Sequence, residues 1–299
     1  MKVLIAGGSG LIGRRLTDLL PASGHQVAWL GRSRPAYVPA EVIYFHWNPE
    51  KGEIAREAVE WAEAVINLAG ASIGENPWNE AGKKQILESR IQSVQTLTKA
   101  FANRKPLKAF TGISGAGYYG PGDCAFLEED SAGTDFPALV ASAWEREYKH
   151  FMQACHPEHF VILRLAVVLS KKGGALEKIL QPFRYGVGAL LGNGKQPFNW
   201  IHLEDAAQVI VQAMGWDGVF NASAPAKDNN AVLSREISQI VKRPLILPPV
   251  PAFVLRLFLG ERSALVLQGN HSNVEKLNRK GYQFRFPDLS TALRNLLEE

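Results

Sequence analysis

The stretch that most limits what this chain can fold into is its first dozen residues, Lys2-Val3-Leu4-Ile5-Ala6-Gly7-Gly8-Ser9-Gly10-Leu11-Ile12-Gly13. Val3 to Ala6 read as a buried strand, and Leu11, Ile12, Leu16, Leu19 and Leu20 recur at helical spacing, so the glycines fall where a strand turns into a helix. Gly7 lets the chain turn tightly, Gly10 leaves backbone N–H groups open to a pyrophosphate, and Gly13 lets helix and strand approach closely. The helix N-terminus faces the anion. An isolated glycine triplet is also what an ordinary turn looks like. Its position, after a strand and before a helix, points to dinucleotide binding, with Gly7, Ser9, Gly10, Leu11, Ile12 and Gly13 as the first contacts.

With 299 residues and 46% hydrophobic content, the chain is long enough for one large α/β core and a small appendage. The 33 basic and 29 acidic residues leave a net charge of +4 with no like-charge block, which argues against nucleic acid as a partner. Cys124 and Cys155 lack zinc-type spacing and are too few for a disulfide framework, as in a reducing compartment. The start lacks the apolar run of a signal peptide, and Arg164 interrupts the strongest apolar stretch, Val161 to Leu169. The expectation is a soluble cytoplasmic protein with no membrane partner, either monomer or homodimer.

A second strand, Gln26 to Leu30, ends in Gly31-Arg32-Ser33-Arg34-Pro35. Dinucleotide folds that prefer NAD place an Asp or Glu near such a strand end for the ribose 2′-OH, and none occurs between Gln26 and Ala40. Arg32 is placed to pair with a 2′-phosphate, which favours NADP(H); the alternative is a solvated basic loop. Ala64 to Gly70 is the next strand, with Leu68, Ala69 and Gly70 lining the cofactor. The helix after it carries Leu87, Ile91, Val94, Leu97 and Phe101 within about 120° of arc, and Arg90 falls inside that stripe. A buried guanidinium needs an anionic neighbour: the cofactor, or a structural ion pair. Gln85 stands about one turn earlier.

Lys108 to Ser114 form a further strand leading into Gly115-Ala116-Gly117-Tyr118-Tyr119-Gly120-Pro121. The opening Gly-x-x-Gly-x-x-Gly spacing resembles the extended short-chain dehydrogenase/reductases. In those proteins a Ser or Thr at this strand end meets the substrate's reacting oxygen; the resemblance implies that role for Ser114, whose hydroxyl could polarise a carbonyl, although a serine before glycines also caps turns. That superfamily uses a Tyr-x-x-x-Lys pair, in which lysine one helical turn on favours phenolate. None of the seven tyrosines here has Lys four places later. Phe136 to Glu145 occupies that region, leaving Tyr118 and Tyr119 as stand-in proton donors.

A narrower resemblance lies in Trp144-Glu145, Arg164 to Leu169, Gly173-Gly174-Ala175-Leu176, Gly192 to Gln196 and Asn199 to Asp205. It continues through Phe220 to Pro225 and the segment from Pro248 to Leu293. In combination these resemble the YfcH-like epimerase family and cover nearly the whole chain. The resemblance implies an NADP-binding epimerase-type protein of unassigned substrate, with cofactor contacts at Arg32, Leu68, Ala69, Gln85, Arg90 and Val168.

The expected fold is a Rossmann-type doubly wound parallel sheet with a small, mostly helical C-terminal lobe. Residues 1–245 would hold the cofactor and residues 246–299, after the Pro248-Pro249-Val250-Pro251 cluster, would pack over the substrate cleft. The glycine-broken stretch from Gly186 to Gly194 reads as a flap, His202 as a packed histidine, and no metal site is apparent. The implied function is an epimerase, dehydratase or reductase step on a small polar molecule, with nucleotide-linked sugars among the candidates. The alternative, favoured by the missing Tyr and Lys, is a sensor or interaction protein that holds NADP(H) without turnover.

Overall fold

A computed structural model describes residues 1–298. In chain order the elements are β1 (Lys2–Ala6), α1 (Leu11–Leu19), β2 (Gln26–Gly31), β3 (Ile43–Asn48), β4 (Glu53–Ile54), α2 (Arg56–Trp61), β5 (Ala64–Asn67), α3 (Glu80–Phe101), β6 (Ala109–Gly115), β7 (Ala125–Phe126), α4 (Phe136–Cys155) and β8 (His159–Leu165). The second half adds β9 (Val167–Leu169), α5 (Ala175–Arg184), β10 (Trp200–His202), α6 (Leu203–Ala213), β11 (Gly218–Ala222), α7 (Asn230–Ile240), α8 (Ala252–Leu259), α9 (Ala264–Leu267), β12 (His271–Ser272), α10 (Glu275–Arg279) and α11 (Leu289–Leu297).

Eight strands form one sheet in the order β11-β8-β6-β5-β1-β2-β3-β4. All neighbours are parallel except β4, which runs antiparallel on β3. The chain starts in the middle with β1, winds outward through β2 and β3, then crosses back to β5. The carboxyl ends of β1 and β5 therefore flank the point where winding reverses, the place where open parallel sheets bind ligands.

Both faces are covered, which is why the central strands read as unbroken apolar runs. Leu16 and Leu20 near α1 and Ala206, Val209 and Ile210 from α6 fill one side. Val94 and Leu97 from α3 and Trp144, Tyr148 and Phe151 from α4 fill the other. The register of α3 differs from the expected stripe. Ile86 and Ser93 are fully enclosed, whereas Leu87 and Ile91 are only half-buried. Asn79 and Asp135 cap α3 and α4, accepting from the amides of Gly82 at 2.9 Å and Ala138 at 3.0 Å.

A smaller core joins Leu176, Leu180 and Phe183 of α5 to Leu233 and Ile237 of α7 and Leu289, Leu293 and Leu296 of α11. The chain's end returns to the body: Leu277 and Tyr282 pack into the sheet core, and Lys276 Nζ donates to the Val219 carbonyl at 2.7 Å. Between these regions α8 buries none of its residues. Phe253, Leu257 and Phe258, expected to pack over the cleft, instead face outward. No helix among the described residues is long and apolar enough to cross a membrane. Nor, among the described residues, do three or more His, Cys, Asp or Glu side chains gather where they could hold a metal.

Candidate cofactor and substrate site

The loop after β1 is shaped by its glycines. Gly7 sits at φ +88°, Gly10 donates to the Gly7 carbonyl at 3.0 Å, and Gly10 is the N-cap of α1 with no side chain over the helix end. A Cβ on Gly13 would lie 2.5 Å from the Gly7 oxygen and 2.6 Å from Gly8 Cα, so only glycine lets α1 start this close to the strand. The loop also requires Gly8, which sequence reasoning passed over. Any side chain there would run into the Trp29 ring, whose Nε1 donates to Thr17 Oγ1 at 2.8 Å. Ser9 is exposed at the loop tip and its carbonyl accepts from Arg14 Nε at 2.8 Å; Leu11 and Ile12 are half-buried on α1.

Leu68 and Ala69 lie against this loop, since a Cβ on Gly7 would be 3.2–3.3 Å from their backbone. A Cβ on Gly174 would be 3.4 Å from Leu11 Cδ2 and 4.0 Å from the Val168 carbonyl, bringing the end of β9 to the same edge. Gly7, Gly10, Leu11, Gly13, Leu68, Ala69 and Val168 thus share one rim. Arg32 stands at the carboxyl end of β2 with its side chain 69% exposed and a 3.3 Å contact to Glu50.

Arg90 reaches the rim from below. Its Nη1 donates to the carbonyls of Ala71 and Ile86, each at 2.9 Å, and its Cζ lies 4.9 Å from the centre of the Trp144 ring. A Cβ on Gly70 would come within 3.0 Å of the guanidinium, so Gly70 is where backbone passes over it. No carboxylate among the described residues pairs with Arg90, and burial brings its pKa down to about 10. Gln85 is exposed on α3, about 140° round the helix axis from Arg90, and the two are not neighbours.

At the end of β6, Ser114 is 3% exposed and its Oγ is enclosed without a hydrogen-bond partner among the described residues. Trp144 Nε1 is likewise buried and unpaired. Ser114 pairs in register with Arg164 of β8. Arg164 and Glu145, both 3% exposed, form a bidentate pair with two 2.8 Å contacts. Arg164 Nη1 also donates to Tyr119 Oη at 2.8 Å and to the Glu128 carbonyl at 3.0 Å. Burial acts to lower the arginine's pKa, but Glu145 outweighs it and holds it above the ordinary value.

This network fixes both candidate tyrosines. The Tyr118 ring lies under the guanidinium, 3.5 Å from Cζ to the ring centre, and the side chain stays half-exposed. Tyr119 is 3% exposed and its hydroxyl donates to Asn221 Oδ1 at 2.6 Å while accepting from Arg164. Burial pushes its phenol up to about 12. Beneath the rim, Asn67 donates to Ser93 Oγ at 3.2 Å and to Tyr148 Oη at 3.3 Å. Tyr148 in turn donates to the Ile113 carbonyl at 3.1 Å. A polar residue closing an apolar strand was the available signal for Asn67; Glu145 stood out only within the Trp144-Glu145 pair of the family resemblance, and Tyr148 gave no signal beyond helical spacing.

Above the rim, Trp78 packs edge-on against Phe136 at 5.0 Å, joining the loop Ala71–Asn79 to α4, with Ala264 of α9 against the same cluster. Glu75 of that loop meets Lys178 of α5 at 3.3 Å, and Lys83 pairs with Glu261. The expected flap is tied down: Gly192 N and Val250 N bond to Val250 O and Leu190 O at 2.9 and 2.8 Å. Beside it lies a cavity of about 300 Å³ whose polar lining includes Asn193, Gln196, Arg256, Ser263 and Gln268. His202 is packed as expected, stacked on Phe286 at 3.9 Å and accepting from Glu204 N at 3.0 Å.

Residues 3–222 match the model of the NAD dependent epimerase/dehydratase family, and residues 250–296 match a domain of unknown function. The human epimerase family protein SDR39U1 is 34% identical, with 99% of this chain and all of that protein aligned. YfhF of Bacillus subtilis is 33% identical over 100% of this chain and 99% of its own. The crystal structure of human SDR39U1 (isoform 2) with NADPH superposes with a TM-score of 0.84 at 30% identity, covering both chains completely. MoeE5 in complex with UDP-glucose and NAD, at 18% identity and TM-score 0.81 over 100% of this chain and 98% of that one, shares the fold. The Rossmann-like sheet, its glycine loop and the full-length match to these relatives place this chain in the NAD-dependent epimerase/dehydratase family.

Proposed function

We propose that the protein binds NADP(H) along the rim and carries out an epimerase, dehydratase or reductase step on a small polar molecule, with nucleotide-linked sugars among the candidates. The observation that carries this reading is the cradle at the end of β1, where a Cβ on Gly13 would collide with the Gly7 carbonyl and no side chain among the described residues caps the N-terminus of α1. Arg32, at the next strand end, would take the 2′-phosphate by exchanging its exposed contact with Glu50. Arg90, half-buried and with no carboxylate partner among the described residues, would offer its free N–H groups to an anionic or hydroxyl oxygen of the cofactor beside Gly70. When bound, the nicotinamide supplies or accepts hydride.

Ser114 would turn its unpaired hydroxyl toward the reacting oxygen of the substrate. Tyr118, half-exposed and held flat by Arg164, is the better placed of the two tyrosines to exchange a proton. Tyr119 has its hydroxyl committed on both sides and serves to position the network. The cover over the cleft would comprise the loop Ala71–Asn79, the Gly186–Gly194 stretch and the part of residues 246–299 in α9.

Calorimetric titration with NADPH and NADH, on the wild type and on Arg32→Asp, tests the cofactor assignment. Preference for NADPH that moves toward NADH in the variant supports it, and absence of binding to either coenzyme refutes it. Following absorbance near 340 nm against keto-sugars, quinones and aldehydes then separates an enzyme from the second reading. That second reading, a protein that holds NADP(H) as a sensor or assembly partner, is favoured by the absence of any Tyr-x-x-x-Lys pair. Turnover lost in Ser114→Ala supports catalysis; tight binding with no oxidation of NADPH supports the sensor.

A further inference from the structure

We propose that α8 and the two chain segments beside it form a peripheral docking face for an anionic phospholipid bilayer. Residues 181–195 and 242–258 are held side by side by the hydrogen bonds between Val250 and the backbone of Leu190 and Gly192. Together they expose Tyr185, Val187, Ile246, Leu247, Phe253, Leu257 and Phe258, the last three at 70–79%. On α8, Phe253, Leu257 and Arg256 fall within about 100° of arc, so two exposed apolar groups and a cation share one side of the helix, with Phe258 about a further 100° round from Leu257. A soluble domain rarely leaves so many large apolar side chains together in water unless they meet something.

The charge on the same segments identifies what they meet. They contain Arg184, Lys195, Lys242, Arg243 and Arg256 and not one Asp or Glu, in a chain whose basic and acidic residues are otherwise nearly balanced. None of these five cations is ion-paired among the described residues. A second copy is the poorer occupant. A two-fold contact presses the same patch against itself, which would set five cations against five. A surface offering phosphate charge outside and hydrocarbon within reach satisfies both the cations and the aromatic and aliphatic side chains. The expectation of no membrane partner rested on the absence of a spanning segment, which a peripheral contact does not need.

Flotation of the full chain with vesicles of phosphatidylcholine alone, or with roughly one-third phosphatidylglycerol added, tests this. The expected result is binding to the anionic vesicles only, weakened by added salt. Lys242→Gln with Arg243→Gln should lower partitioning by about 30-fold, the loss for two charges near an anionic surface. Phe253→Ser with Leu257→Ser and Phe258→Ser should abolish it while leaving the thermal midpoint unchanged, because all three side chains are already exposed. No flotation with anionic vesicles, or equal binding to neutral ones, overturns the proposal. So does a concentration-dependent dimer in sedimentation that the triple substitution dissolves, which would assign the face to a second copy.

Discussion

Gly13→Ala puts the proposed cofactor cradle under a direct test. The added methyl would stand 2.5 Å from the Gly7 oxygen and 2.6 Å from both Gly8 Cα and the Gly8 oxygen, against 3.4–4 Å for an ordinary contact. All three obstacles are backbone, so no side chain can swing away. Relief requires the loop to move by the better part of an ångström, or α1 to shift from the sheet. Overpacking of this kind costs about 1–3 kcal/mol. If it falls on the folded state, the thermal midpoint drops by about 2–4 °C per kcal/mol in a chain of this order of size. If the loop yields instead, its N–H groups leave the phosphate and NADPH affinity falls by roughly 5- to 150-fold. Calorimetric titration and thermal unfolding, measured on the same sample, capture both. Gly24→Ala is the control: Gly24 also has positive φ, +75°, but a Cβ there meets nothing within 4 Å. It should lose about 1–2 kcal/mol of stability through backbone strain alone and bind NADPH as the wild type does. Gly13→Ala with both wild-type affinity and wild-type midpoint would refute the geometric argument for the cradle.

Three further outcomes follow from buried groups. Glu145→Gln leaves the Arg164 guanidinium enclosed without its carboxylate and should cost about 3–5 kcal/mol, whereas Arg164→Met with Glu145→Leu should recover most of that; denaturant titration showing a loss under about 1 kcal/mol for the single change would contradict it. His202 has its folded pKa lowered by burial from 6.5, so the unfolded chain takes up the proton first as pH falls. Its contribution to stability is therefore complete above about pH 6.5 and is lost as pH falls from there through the lower folded pKa. His202→Asn, which keeps a cap for the Glu204 amide, should flatten the slope of stability against pH below about pH 6.5. Burial pushes the Cys155 thiol up to about 11 while Cys124 is exposed, so a thiol reagent at neutral pH should label one cysteine in the native protein and two after unfolding.

What the sequence made legible was local chemistry. The glycine loop and the parallel strands depend on residues a few places apart, and their spacing survives folding. Arg90 was visible as an anomaly, a charge inside an apolar stripe, but its carbonyl and indole neighbours come from Ala71 and Trp144, which only tertiary packing brings near. Arg164 gave the same kind of signal by interrupting Val161–Leu169. Its partner, Glu145, lies one helix earlier, and nothing in helical periodicity distinguishes a carboxylate facing the sheet from one facing solvent. Apolar content misled at α8, where Phe253, Leu257 and Phe258 count as core by composition and are surface by position.

The chain's end shows why periodicity alone cannot assign a segment to a body. Asp205, 1% exposed at the start of α6, accepts from Tyr282 Oη at 2.8 Å, from Arg285 N at 2.8 Å and from Phe286 N at 2.9 Å. Three donors from residues some eighty positions away satisfy a carboxylate that would otherwise be too costly to enclose. Asn270 adds bonds to the carbonyls of Ala116 and Gly120 at 3.0 and 2.7 Å, beside the candidate tyrosines. The last thirty residues therefore brace both the underside of the sheet and the loop that carries Tyr118. A change that loosens them would reach the proposed reaction centre through Asn270 without touching any residue that lines it.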